Sequence, residues 1–362
     1  MKIAFDYSTF LFQKYGGISR YFVKLAKYLD KTHKCKIIAP ISVNNYIHEI
    51  DNCVFNLIKI KKIPKFSRKL LTNLSFFSSI LYMKYWKPDI IHKTYFNGHN
   101  YKIKNTKKIL NVWDLNHEIH PEFYNKKNDW RPKTNSLSLA DHVICSSFKT
   151  RADLEKYYNY DLSKTSVIYQ GVDTLLKNES VVYNKKKYLL YVGSRLGYKN
   201  FDNLLKALSL NKQILEDFKL VCFGQEIKTH YEQELIKELN LNNKNIIFIG
   251  GEDNLLKDYY LNATALIYPS KNEGFGFPPL EAMAYGCPVI TSNNSAILEA
   301  TNLEKYSFDP ESPQDIIKKI ENVIYLDTNI NFLIEYGLNR VKNFTWLNTS
   351  NKISKIYSKV QN

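Results

Sequence analysis

Cysteine is sparse and scattered in this chain. Cys35, Cys53, Cys145, Cys222 and Cys287 show no paired spacing for zinc or redox chemistry. That excludes a disulfide framework and predicts reduced, structural thiols in a cytoplasmic protein. Long apolar runs are missing too: stretches such as Leu74–Met83 are broken by serines and too short to cross a bilayer. No basic segment leads into an apolar one at the start, where Met1–Phe5 already reads as a buried strand, so export is not expected. Neither domain's first strand is followed by G-x-G-x-x-G, which argues against a dinucleotide dehydrogenase. Acidic residues are short as well, with 35 Asp+Glu against 51 Lys+Arg and a net charge of +16. The shortage is local. Residues 1–180 hold 30 Lys+Arg against 15 Asp+Glu, whereas residues 181–362 hold 21 against 20. Such asymmetry predicts that one half faces an anionic surface or ligand.

What is present fits two domains, each with its own core, in 362 residues of which 44% are hydrophobic. Strand-like runs alternate with helical ones. They begin at Lys2–Asp6 and continue at Lys36–Pro40, Asp89–His92, Lys108–Val112, His142–Ser146 and Ser166–Tyr169. A helix is expected over about Ser19–Leu29. After a polar linker, Thr174–Lys187, the pattern restarts with Tyr188–Gly193. It continues through Phe218–Phe223, Asn245–Ile249, Ala263–Tyr268 and Pro288–Thr291. Alternation of this kind predicts an α/β chain with two parallel sheets facing across a cleft, with ligands at the carboxyl ends of the strands. The expected boundaries are 1–173 and 174–345, followed by a C-terminal helix, 346–362.

Five constellations carry candidate chemistry. In Glu273-Gly-Phe-Gly-Phe-Pro-Pro-Leu-Glu281, glycines let the backbone approach a ligand and a helix is expected from Leu280 to Tyr285. Backbone N–H groups at Gly274, Phe275, Gly276, Phe277 or Leu280, with the helix dipole, would favour an anion. The carboxylates of Glu273 and Glu281 would accept hydroxyls; the plainer alternative is a solvent loop. Next, Gly193-Ser-Arg195-Leu-Gly-Tyr-Lys199 places two cations after a first strand, suited to a diphosphate unless they are simply solvated. Gly16-Gly17, before the first long helix, offers N–H groups or merely a turn. The Trp113–Pro121 loop gathers Asp114, His117, Glu118 and His120, more suited to sugar hydroxyls than to a metal. Lastly, residues 59–87 pair a lysine cluster with an aromatic-rich helical stretch. Its apolar residues are expected in the core and its lysines on an anionic lipid surface.

Together these motifs resemble the retaining glycosyltransferases of family 4, which have the GT-B fold of two Rossmann-like domains. The likeness rests on Glu273–Glu281 with the following Ala-Met-Ala, Gly286–Ser292, Val192-Gly193 with Lys199-Asn200, Cys145–Leu154 and Val167–Asp173. The run Gln13–Phe22 is similar to a branch rich in mannosyl- and rhamnosyltransferases of bacterial surface polysaccharides. By position, the resemblance implies that Glu273 contacts the transferred sugar and Glu281 the ribose. It further implies that Arg195 and Lys199 neutralise the diphosphate, that Gly16 and Gly17 approach it, and that Gly274–Phe277 grip sugar and phosphate. The last helix is expected to cross back to the first domain. No cofactor or metal is implied, and the sequence has no Asp-x-Asp to hold a cation beneath a diphosphate.

The expected partners are a nucleotide-sugar donor, GDP-mannose first, and a glycan or lipid-linked glycan acceptor at the inner membrane face, not nucleic acid. Two departures stand out: Trp113 occupies the place where many relatives have a histidine, and Tyr198 a place that is often basic. Rival readings are a sugar-nucleotide 2-epimerase on the same scaffold, a non-catalytic polysaccharide-binding subunit and a basic nucleic-acid-binding protein.

Overall fold

A computed structural model describes residues 1–124, 131–175, 180–195 and 197–361. Residues 176–179 of the expected linker and Leu196 lie outside it, as does the side chain of Lys65. The chain divides into two compact units. The first comprises residues 1–115, 131–171 and the last helix, and the second comprises 116–124 and 172–345.

The first unit is built on seven parallel strands: β1 (Lys2–Phe5), β2 (Lys34–Ile38), β3 (Val54–Phe55), β4 (Ile90–Lys93), β5 (Lys107–Val112), β6 (His142–Cys145) and β7 (Thr165–Val167). Their spatial order is β3-β2-β1-β4-β5-β6-β7. The second unit repeats the plan with β8 (Lys186–Gly193), β9 (Lys219–Gly224), β10 (Ile246–Ile249), β11 (Ala263–Tyr268), β12 (Val289–Ser292) and β13 (Ser307–Phe308), in the order β10-β9-β8-β11-β12-β13. All pairings are parallel, and each order reverses direction beside its first strand, the switch point of doubly wound folds. Strand runs such as Ala263–Tyr268 are apolar and buried throughout because helices cover both faces of a parallel sheet.

The sequence places eleven of these strands within two or three residues of their ends. It misses β3 and β13, which are two residues long and carry no periodic signal. The first long helix starts at Gly17 rather than Ser19. Gln13 accounts for the difference, since its side-chain oxygen accepts from the backbone N–H of Ser19 at 3.3 Å and caps the extra turn.

The last helix, Trp346–Gln361, is part of the first unit. Its apolar face, Trp346, Ile353 and Tyr357, is buried in that unit's core, with Trp346 packed on Tyr21. Thr349 donates to the Tyr169 carbonyl at 2.9 Å. Gly171 makes room for the helix start, as a Cβ there would lie 2.5 Å from the backbone nitrogen of Trp346. Tyr357 Oη meets His92 Nδ1 at 2.6 Å, and His92 Nε2 meets Asn111 Oδ1 at 2.6 Å. Among the described residues no helix is long and apolar enough to cross a membrane.

Burial pushes His92 from 6.5 down to about 4, against a smaller opposing effect from Asn111. The unfolded chain therefore takes up a proton near pH 6.5 that the folded protein refuses until about pH 4. The stability from neutral His92 is full above pH 6.5 and is lost as pH falls towards 4, up to about 3 kcal/mol at 1.36 kcal/mol per unit. Thermal unfolding followed from pH 7 to pH 4 should show this loss. His92→Gln should unfold more easily at pH 7 and show a shallower slope over the same window.

Candidate active site

The second unit gathers most of the expected site residues at the carboxyl ends of β8 and β11, which pair side by side. At the end of β8, Gly193 takes a φ of 127°, and a short turn, Gly197–Lys199, leads to Asn200. Asn200 donates to the carbonyls of Pro269 and Pro310 at 3.0 and 2.7 Å, and the Lys271 N–H donates to the Tyr198 carbonyl at 2.8 Å. These bonds tie the Lys199 loop to the segment that follows β11.

The tie brings three groups together. Lys199 Nζ lies 2.6 Å from Glu273 Oε1 and 3.0 Å from Tyr268 Oη, while Tyr268 donates to the same Glu273 oxygen at 2.8 Å. Both charged side chains are largely buried, at 15% and 12% exposure. Burial by itself lowers the pKa of Lys199, yet the Glu273 charge, Tyr198 and the hydrogen bond to Glu273 outweigh it and hold the ammonium above the usual lysine range. Burial, then the Glu273 charge, pushes the Tyr268 hydroxyl well above its ordinary value. The centre is thus a fixed cation, a carboxylate and a neutral phenol. Tyr268 is the member that sequence reasoning missed. Its position as the last residue of a strand was the available signal, but nothing in the sequence says that its hydroxyl reaches a carboxylate five residues on.

The glycine loop differs from expectation at its helix. The helix runs Phe277–Ala284 with Gly276 as its N-cap, so it starts three residues early and takes in both prolines. Pro at the first turn is tolerated because those N–H groups have no helical partner. Leu280, counted among the donors in the sequence, lies inside this helix and is fully buried. The N–H groups that precede the prolines, Gly274 to Phe277, remain at the helix start. Gly276 adopts φ 98°, a left-handed conformation that a side chain would strain. Glu281 lies on this helix, 8% exposed, and accepts from Tyr260 at 3.3 Å.

Arg195 is not where the sequence reading puts it. Its side chain is 1% exposed and forks onto Glu232, with Nε to Oε1 at 2.7 Å and Nη2 to Oε2 at 3.2 Å. Nη1 and Nη2 also donate to the carbonyls of Gln225 and Ile227 at 2.6 and 2.8 Å. Glu232 closes a capping box with Thr229 at the start of the His230–Glu238 helix. The expected phosphate cation is instead an internal strut between the β8 loop and that helix.

In the first unit, Gly16 and Gly17 stand at the start of the Gly17–Leu29 helix. A Cβ at Gly16 would strike Gln13, whereas one at Gly17 would meet nothing within 4 Å. Trp113 points inward, edge-on to Tyr21 at 4.7 Å, with its indole N–H donating to the Thr94 carbonyl at 3.3 Å. It packs the core and offers a ligand nothing. Asp114 is half-buried beside it. The loop then changes units: residues 116–124 belong to the second. There His117 stacks on Tyr124 at 3.8 Å, Glu118 is half-buried, and His120 meets Glu122 at 3.0 Å. Among the described residues no cluster of three or more His, Cys, Asp or Glu is placed to hold a metal ion.

The family model described as Glycosyl transferases group 1 matches residues 172–340, and that described as Glycosyltransferase Family 4 matches residues 15–175. O-antigen chain mannosyltransferase RfbU of Salmonella typhimurium is 30% identical over 253 residues, covering 66% of this chain and 69% of that protein. Sucrose-phosphate synthase from Thermosynechococcus elongatus has the same fold at a TM-score of 0.77 and 18% identity, covering 99% of both chains. HepE of Anabaena, solved with UDP and glucose, does so at 0.73 and 17%, covering 99% of this chain and 100% of that one. The two family matches, the RfbU identity and the shared GT-B fold show that this chain belongs to the family 4 glycosyltransferases.

Proposed function

We propose that the protein moves a hexose, mannose from GDP-mannose, onto a glycan or lipid-linked glycan acceptor of a cell-surface polysaccharide, with retention at the anomeric carbon. The observation that carries this reading is the Lys199–Glu273–Tyr268 centre beside the Gly276 helix start. It sets a permanent cation and an acceptor carboxylate within one hydrogen bond of each other. The sugar identity is supported by the likeness to a mannosyltransferase.

In this reading the donor's diphosphate lies against Lys199 and the N–H groups of Gly274–Phe277. The sugar hydroxyls bond Glu273, and the ribose hydroxyls bond Glu281. The Asp114, His117 and Glu118 loop meets sugar or acceptor. As the glycosyl–phosphate bond lengthens, negative charge collects on the leaving diphosphate, and a cation already in place stabilises it without reorganisation. Lys199 does the work that other transferases give to a divalent ion, so transfer is expected to survive chelators. The leaving phosphate oxygen accepts the proton of the attacking hydroxyl on the same face of the sugar, which retains configuration and requires no separate base. Because Lys199 stays protonated, the rate should not fall through its titration between pH 6 and 9.

Lys199→Ala and Glu273→Ala should each lower turnover by about a hundredfold or more while the protein still folds. Near-normal transfer by both would refute the assignment. Arg195→Met should behave in the opposite way. It leaves Glu232 buried without its partner, costs about 3–5 kcal/mol of stability, and lowers the melting temperature before it changes the chemistry. GDP-mannose should raise the melting temperature of the wild type more than UDP, ADP or dTDP sugars do, because a ligand of the native state alone stabilises it.

A further inference from the structure

The helix Arg68–Trp86 buries only part of its apolar residues: Leu71, Phe76, Ile80, Tyr82, Met83 and Trp86 pack in or against the core as the sequence suggests, and the others do not. Ser75, Ser79 and Met83 face the core with Phe76 and Ile80 beside them, while Leu70, Leu74, Phe77, Leu81 and Tyr85 are 47–83% exposed. Their spacing of four, three, four and four residues puts them on one face, so the helix carries a continuous outward stripe about 20 Å long at 1.5 Å per residue. Phe66, just before the helix, is fully exposed. Isolated apolar residues on a surface are ordinary, but an aligned row of large ones is the mark of a docking face.

At the amino end of this helix the first unit has a cavity of about 580 Å³. Lys14, Lys61, Lys62 and Arg68 stand on its wall with Phe12 and Ile63, and among the described residues no carboxylate lines it. The Arg68 guanidinium lies over the Phe12 ring at 4.6 Å, which holds it at the wall. The surroundings are equally one-sided, since residues 52–88 contain eight Lys or Arg and no Asp or Glu. Four cations around one cavity repel each other, and an anion seated among them removes that repulsion.

We infer that this cavity takes the phosphate of an anionic lipid headgroup while the exposed stripe enters the acyl layer of the same leaflet. Each half supplies what the other lacks. Basic residues draw the unit to a negative surface, and an apolar face inserted at the headgroup boundary makes the attachment resistant to salt. A protein partner would need an acidic patch continuous with an apolar groove, whereas a leaflet of anionic phospholipid has both chemistries in register by construction. Arg68 links the two halves, as both a wall of the cavity and the first residue of the striped helix. The inference is independent of the donor chemistry proposed above.

Co-sedimentation of the full chain with vesicles of phosphatidylcholine, with and without phosphatidylglycerol, tests it. The wild type should bind the anionic vesicles and not the neutral ones. Lys61→Glu with Lys62→Glu should lower binding at least about tenfold. Leu74→Ser with Phe77→Ser and Leu81→Ser should leave only a weak, salt-sensitive association. Both variants should keep the wild-type melting temperature shift with GDP-mannose, which shows that the fold and donor site survive. Failure of the wild type to bind anionic vesicles, or equal binding by the variants, overturns the proposal. So does thermal stabilisation by inorganic phosphate without vesicle binding, which would make the cavity a free-phosphate site. Loss of the nucleotide shift in the wild type would count against the donor assignment alone.

Discussion

A single ion pair organises the second unit's chemistry. The Lys199 ammonium and the Glu273 carboxylate are 2.6 Å apart in a largely dry setting, with the Tyr268 hydroxyl bonded to both. Removing either charge would leave the other largely buried without its partner, a stability cost that the surrounding core must absorb. The rest of the unit serves to keep the two loops in register. Strands β8 and β11 are neighbours, Asn200 pins one loop to the other, and Gly276 turns the chain into the following helix. A cation prepared in this way needs no rearrangement when charge develops on a leaving group, which is the electrostatic advantage of a folded site over water.

The nearby arginine shows how differently two cations four residues apart can be used. Lys199 has one carboxylate and one phenol around its ammonium. Arg195 commits its fork to Glu232 and two carbonyls, and is wholly enclosed. The planar guanidinium suits an internal strut because it satisfies several acceptors at fixed angles. The lysine suits a site because a point charge on a long stem can follow a ligand. Trp113 and Gln13 are used likewise as internal fittings: one fills the first unit's core, and the other lengthens a helix by capping it.

These cases mark what the amino-acid sequence alone reveals. The buried strands were legible because a parallel sheet covered on both faces leaves an apolar signature bounded by polar turns. The Glu273–Glu281 loop was legible because glycine and proline fix its local conformation. The direction of Arg195 was not legible, since its partner lies 37 residues away at the start of another helix. Nor could the sequence tell which face of Arg68–Trp86 turns inward. That helix has large apolar residues all round, so its periodicity is weak, and two small serines occupy the buried side. The contribution of Tyr268 depended on the pairing of β8 with β11, a contact that only the fold creates.

The placement of Trp346–Gln361 has a bearing on how the protein is made. The first unit lacks part of its core until residues 346–361 have been synthesised, because Trp346, Ile353 and Tyr357 complete it. The stretch 172–345 carries its own sheet and core and can condense while the ribosome is still translating. The stretch translated later is thus the one able to mature first, and the core of the first unit stays incomplete until the helix Trp346–Gln361 follows. A chain cut just before Trp346 would accordingly damage the unit made of the residues translated before it.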